Sequence, residues 1–281
     1  MSAAKTVDAH QHFWAVSRGD YGWLTPALKP LYRDFGPADF APLARAAGVT
    51  QTIVVQAAPS VAETRYLLEL ARSHPFIAGV VGWVPLEEAE APALIAALAR
   101  EPKFKGVRPM LQDLPDDDWI ARPTLAPAVD AMVAHRLVFE ALVFPRHLPG
   151  LLTFAQRHPR LSIVIDHGAK PPIGEGRGAG WQPWADRIAA LAQLPHVRCK
   201  LSGLATQASR GWADETLAPY VEHLVKHFGA ERLMWGSDWP VLELNGDYDN
   251  WHACARRLTA KLPAGERDAI FGATASVCYK I

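Results

Sequence analysis

The sequence predicts an α/β fold, a (β/α)8 TIM barrel with an extra C-terminal helix, on three observations. Short apolar runs alternate with amphipathic stretches from end to end of the chain. Eight such runs fall at 6–10, 52–57, 77–84, 105–109, 137–143, 161–166, 197–201 and 233–236. The residues able to do chemistry gather where those runs end, which is where barrel enzymes place theirs. An open doubly wound sheet is the competing architecture. It would more often carry a Gly-rich first turn, and here the first turn carries histidines.

Taken in order, the first run ends in His10-Gln11-His12. A long aromatic connection follows from 13 to 36, holding Phe13, Trp14, Tyr21, Trp23, Tyr32 and Phe35. Long connections are usually functional or disordered, and this aromatic load argues against disorder. Pro37 opens and Gly48 closes the first helix, the usual asymmetry of helix ends. The stretch 62–71 repeats its apolar residues at helical spacing, as the segments between later runs do. After the sixth run, Lys170-Pro171-Pro172 and the glycines to Gly180 make a second irregular loop. Residues 264–279 read as the extra terminal helix. No repeat or linker divides the chain, so 1–281 reads as a single domain.

Composition narrows the function. The chain has 281 residues, 49% hydrophobic and 21% charged, with 29 basic and 29 acidic residues. Zero net charge removes the electrostatic footprint of a nucleic-acid binder. No apolar run reaches the length of a membrane span, and strand-like sequence starts too early to leave room for a signal peptide. Cys199, Cys254 and Cys278 are scattered and odd in number. A reducing, cytoplasmic setting is therefore the expectation.

The strand-end residues carry the chemistry. His10 and His12, two apart on a strand, share a face and converge on one small volume. Imidazole is both a common metal ligand and a general acid or base near neutral pH. Barrel closure sets the eighth strand beside the first, bringing Asp238 to the two histidines. Arg108, Glu140, His167, Lys170 and Ser202 stand at the ends of other strands. Plainer roles stay open: Asp238 before Trp-Pro suits a turn, His167 a loop hydrogen bond, and Arg108 a structural carboxylate pair. Ser202 and Lys170 read most simply as loop hydrogen-bonding residues. The facing of Glu140 depends on a register that the sequence leaves open.

The segments VDAHQHFW (7–14), KGVRPMLQ (105–112), DHGAKP (166–171), KLSGL (200–204) and GSDWPV (236–241) resemble the sugar-lactonase branch of the amidohydrolase superfamily, the amidohydrolase-2 group. The resemblance spans the whole chain. It implies a hydrolase that opens a sugar-acid lactone, of the L-fucono- or L-rhamnono-lactone type, with water. By resemblance Asp238 is the base, and His167 and His12 are catalytic with it. Arg108, Trp14, Lys170, Ser202 and Trp239 are expected to bind substrate. Ester hydrolysis needs a base for water and positive charge where the oxyanion grows, so the chemistry agrees.

Two-metal members of the superfamily use a lysine on strand four and further histidines on strands five and six, and strand five here has no histidine. The expectation is one divalent ion at most, held by His10, His12 and Asp238, with zinc suited to N/O ligands. Hydrolysis without metal is the other reading. The expected partner is a small lactone, with no nucleic acid and no membrane; the oligomeric state stays open. Competing functions are hydrolysis or decarboxylation of an aromatic-derived carboxylate or pyrone lactone, and a barrel that binds a ligand without chemistry. A substrate with several carboxylates would want several arginines, and only Arg108 stands at a strand end.

Overall fold

The computed structural model describes residues 5–281. Eight parallel strands pair in chain order: β1 (Val7–Gln11), β2 (Gln51–Val55), β3 (Ile77–Gly82), β4 (Phe104–Val107), β5 (Val138–Ala141), β6 (Ser162–Ile165), β7 (Val197–Leu201) and β8 (Leu233–Trp235). The helices between them are α1 (Pro37–Ala46), α2 (Val61–Ser73), α3 (Ala91–Leu98), α4 (Ala126–Ala134), α5 (Leu148–Arg157), α6 (Trp181–Ala192), α7 (Leu204–Gln207) and α8 (Asp214–Phe228). After β8 come α9 (Tyr248–Leu258), α10 (Ala264–Asp268) and α11 (Thr274–Tyr279). Among the described residues, no helix is long and apolar enough to cross a membrane.

The sequence places all eight strands, though several apolar runs overshoot the ladders. Ala57, Val84, Leu142 and Val143 lie past the last pairing yet are buried beneath the loops, so burial extends the apolar signal beyond the strand. The extra terminal helix is present over 264–279. It is helical throughout but is split by a π-turn at Ala269–Ala273, a wide turn formed where the run packs against β1 and β8.

Val7, Ala9, Ile53, Val55, Val81, Val138, Val164 and Met234 form a cluster with Ala275, Cys278 and Tyr279 of the terminal helix. That helix closes the N-terminal end of the barrel. The larger cluster lies between strands and surrounding helices. Alternation thus sends one set of residues to the barrel interior and the other to the helix layer.

The barrel closes at the site itself. The register of β1 shifts between Asp8 and Gln11, a local irregularity that re-aims side chains. His10 N–H leaves the ladder and donates to Asp8 Oδ1 at 3.1 Å. Asp8 also accepts from Ser237 N–H at 2.9 Å and Tyr248 O–H at 3.1 Å, tying β1 to the chain after β8 and to α9. Asp238 N–H donates to the His10 carbonyl and His12 N–H to the Trp239 carbonyl, both at 2.8 Å. Gly236 lies against β1 so closely that a Cβ would stand 2.7 Å from His10 Cβ.

Gly236→Ala is expected to force this seam apart and lower unfolding stability by about 1–3 kcal/mol, the range for overpacking, read as a fall in denaturant midpoint. Gly265 in α10 has open space around it, so Gly265→Ala should instead raise stability by roughly 0.5–1 kcal/mol.

Candidate active site

The histidine pair converges as its spacing predicts. His10 Nε2 and His12 Nε2 lie 3.2 Å apart, and both residues are buried. His12 Nδ1 faces the Val55 carbonyl at 2.8 Å. A carbonyl only accepts, so that nitrogen carries the proton and the Nε2 lone pair is free. The seam delivers Asp238 to this lone pair, with Oδ1 3.3 Å from His12 Nε2 and 3.7 Å from His10 Nε2.

His167 completes the group from the end of β6, its Nε2 3.8 Å from Asp238 Oδ1. Its backbone is unusual: His167, Gly168, Ala169 and Lys170 all have positive φ. A left-handed run through three non-glycine residues is costly, and such strain collects at functional sites. Trp184 Nε1 holds it by donating to the Gly168 carbonyl at 2.7 Å, and Lys170 N–H by donating to the His167 carbonyl at 2.9 Å. The His167 ring lies over Gly203, where a Cβ would come within 2.5 Å of Nδ1. Ser202 Oγ hydrogen-bonds that Nδ1 at 2.8 Å.

Beneath the histidines lies a buried ionic floor. Lys200 Nζ donates to Glu140 Oε2 at 2.6 Å, sits 3.3 Å from Asp166 Oδ1 and is 3.1 Å from His10 Nδ1. Arg108 reaches Asp166 Oδ2 at 3.3 Å and also donates to the Gln56 carbonyl. Tyr279 O–H, from α11, donates to Glu140 Oε1. Burial raises the Glu140 carboxyl to about 6, against the pull of Lys200. Burial acts the same way on Asp166, but Lys200, His10 and Arg108 outweigh it and hold that carboxyl well below its ordinary value. Asp238 behaves like Asp166: burial pushes up, and the facing His167, His12 and His10 push further down. Burial lowers the imidazoles of His10, His12 and His167, the last to about 4. Near neutral pH an ionised Asp238 therefore faces three neutral rings.

A cavity of about 170 Å³ opens above, lined by His12, Arg108, His167, Lys170 and Asp238 from the predicted set. Its apolar wall is Trp23, Ala57, Met110, Leu142 and Val241, with Gln112 and Asp113 beside them.

Three expected substrate contacts, Trp14, Trp239 and Ser202, lie off the cavity lining. Trp14 is buried under the rim, donating to the Leu31 and Arg33 carbonyls. Within the aromatic loop the cavity residue is Trp23, which packs edge-on against Trp14 and donates to the Ala57 carbonyl at 2.8 Å. Trp239 is also buried, packed on Phe35 and Phe40 and bonded to Glu243. Ser202 touches His167, outside the cavity lining. The sequence reading also passed over Asp166 and Lys200 as site residues. Both lie inside the segments that carry the family resemblance, which is the signal that marks them.

The described residues contain two clusters with metal-ligand chemistry, His10–His12–Asp238 and His10–Asp166–His167, each with ligand atoms within 4.8 Å of one another. The first fits a single divalent ion: His12 Nε2 has a free lone pair and Asp238 is ionised. His10 completes it only in the tautomer with its proton on Nδ1. The second is compromised, because both Asp166 oxygens already face cations.

A parallel barrel with an HxH pair, an aspartate and a third histidine at its strand ends has the groups to hold a metal ion or take a proton at its mouth. The sequence matches the family described as Amidohydrolase over residues 7–281. This chain belongs to the amidohydrolase family. It is 52% identical to an L-fucono-1,5-lactonase of Burkholderia ambifaria, covering 98% of this chain and 95% of that protein. It is 38% identical to an L-fucono-1,5-lactonase of Burkholderia multivorans, covering 99% and 97%. A crystal structure of a B. multivorans amidohydrolase with bound zinc superposes with a TM-score of 0.94 at 36% identity, covering 99% of this chain and 100% of that one.

If Ser202 only orients His167, Ser202→Ala should lower kcat roughly 3–10-fold, the worth of one neutral hydrogen bond, and leave KM unchanged; a raised KM with normal kcat would mark a substrate contact instead. Protein loaded with excess zinc and desalted should carry at most one equivalent by elemental analysis, since Asp166 is already committed to Arg108 and Lys200.

Proposed function

We infer that this protein hydrolyses a neutral sugar-acid lactone of the L-fucono-1,5-lactone class. The observation that carries the reading is the cavity's charge balance. Two cations, Arg108 and Lys170, face two carboxylates, Asp113 and Asp238, while Arg108 is already paired with Asp166. Such a lining has no spare positive charge for a dicarboxylate, whose desolvation would go uncompensated. It suits a neutral ring, with Trp23, Met110 and Leu142 for its C–H faces and polar groups for its hydroxyls. The relatives that act on L-fucono-1,5-lactone support the same class. The three buried unpaired cysteines are in keeping with a cytoplasmic location.

In the proposed reaction, water attacks the lactone carbonyl carbon and gives its proton to Asp238. Negative charge grows on the carbonyl oxygen, and Arg108, a cation on the cavity lining with its Nη1 3.4 Å from His10 Nε2, is placed to stabilise it. Collapse breaks the ring C–O bond, and the leaving oxygen regains a proton to give the hydroxy acid. While Asp238 is protonated, His12 Nε2 at 3.3 Å is placed to accept from it. A divalent ion held by His12, Asp238 and His10 would supply Lewis acidity and a more acidic water.

Asp238→Asn keeps the side chain's size but cannot take the proton. It should cut kcat by about 10²–10⁴-fold, the usual worth of a general base, with folding intact by circular dichroism; near-normal turnover would sink the mechanism. In a proton-release assay, L-fucono- or L-rhamnono-lactone should be hydrolysed and a dicarboxylated pyrone lactone should not. Turnover of the pyrone alone would overturn the substrate class.

A further inference from the structure

Trp23 supplies the aromatic wall of the cavity, yet it lies half-buried in the long connection between β1 and α1. Its Nε1–H donates to the Ala57 carbonyl at 2.8 Å. That carbonyl belongs to the peptide group joining Ala57 to Ala58, just past the end of β2. The N–H of the same group, on Ala58, donates to Glu63 Oε2 at 3.0 Å. The N–H of the preceding group, on Ala57, donates to Glu63 Oε1 at 2.8 Å. A trans peptide is a rigid plane, with its N–H and C=O on opposite edges. Glu63 therefore holds this plane by one edge, and Trp23 bonds to the other. Hydrogen bonds linked in this way polarise one another.

Glu63 stands in the first turn of α2 and is fully buried. Ser60 already caps the helix, its Oγ accepting from Glu63 N–H at 3.0 Å. Burying a carboxyl is costly unless it is hydrogen-bonded, and both bonds of this one go to the segment that carries the acceptor for Trp23. Burial pushes the Glu63 carboxyl up to about 8, against the pull of the two N–H groups. In either protonation state it keeps acceptor capacity at both oxygens.

We propose that Glu63, outside the cavity, is a positioning residue for substrate: it orients the Ala57–Ala58 peptide so that Trp23 stands as a fixed face for the sugar ring. A ring held in place before the ligand arrives has less freedom to lose on binding. The inference rests on the lactone reading for its ligand, whereas the clamp itself belongs to the unliganded protein.

The test is a double-mutant cycle of Glu63→Gln with Trp23→Phe. Gln fills the same space but has one acceptor for two N–H groups, and its NH2 sets a donor against the other. Glu63→Gln should raise KM for L-fucono-1,5-lactone about 3–10-fold, the worth of one neutral hydrogen bond. Its kcat should hold, as when binding common to ground and transition states is lost. Trp23→Phe keeps a ring but has no indole N–H, and on that background Glu63→Gln should change KM by less than about twofold, because the two act as one unit. An unchanged KM, a loss confined to kcat, or effects on KM that multiply would each refute the role given to Glu63. The readout that needs no substrate is the Trp23 indole N–H in 1H–15N spectra of the unliganded protein, assigned by its loss in Trp23→Phe. It should exchange slowly with solvent in the unmodified protein, and faster and at a shifted resonance in Glu63→Gln. A resonance unmoved by Glu63→Gln would overturn the proposal. Free exchange in the unmodified protein would overturn it even if Glu63→Gln did not fold. Absence of lactone turnover with the clamp intact by NMR would count against the substrate class and leave the clamp standing.

Discussion

The whole site hangs on the seam that closes the barrel. Two backbone hydrogen bonds join β1 to the chain after β8, Asp238 N–H to the His10 carbonyl and His12 N–H to the Trp239 carbonyl. The residues in those bonds are the candidate catalytic residues or their immediate neighbours. A barrel must close to satisfy its edge strands. Here the bonds that remove the edges also bring a carboxylate from one end of the chain to imidazoles from the other. Asp8 reinforces the seam on its outer side with three hydrogen bonds, and Gly236 leaves the room for it.

Below the seam, four buried charges have to be reconciled with a medium that disfavours them. Lys200, Arg108, Asp166 and Glu140 are each at most 3% exposed. Two of each sign interlock, and Tyr279 reaches in from the terminal helix to donate to Glu140 Oε1. Removing one partner of a buried pair typically costs roughly 3–5 kcal/mol because it strands the other. The terminal helix is therefore part of the site's foundation as well as a plug for the barrel's N-terminal end.

The third support is strain. His167 is presented by a left-handed run of four residues, and Asp238 also has positive φ. Non-glycine residues in such conformations cost of order 1–3 kcal/mol each. Packing around Trp184, the bond from Ser202 and the seam over-determine these conformations. Three residues of the cavity lining, His167, Lys170 and Asp238, thus stand on left-handed backbone.

The sequence by itself determined the fold class, all eight strands and the convergence of His10, His12, His167 and Asp238. Those features are encoded by local periodicity and by the rule that barrel chemistry sits at strand ends. The shape of the cavity was not legible in the same way. Trp14 and Trp23 look alike in the aromatic loop, and only the Trp14–Phe35 bridge decides which is buried and which faces the cavity. Ser202 stands at a strand end like a substrate contact, but the ring of His167 lies directly against it. Glu140 had an undetermined facing until pairing fixed the register of β5. Lys200 reads as an ordinary charged residue until three strands bring acceptors around it. A local pattern says which face a residue occupies along its own element. Which partners meet it there is a long-range matter, settled only when the ring of strands closes and each buried polar atom has to find its complement.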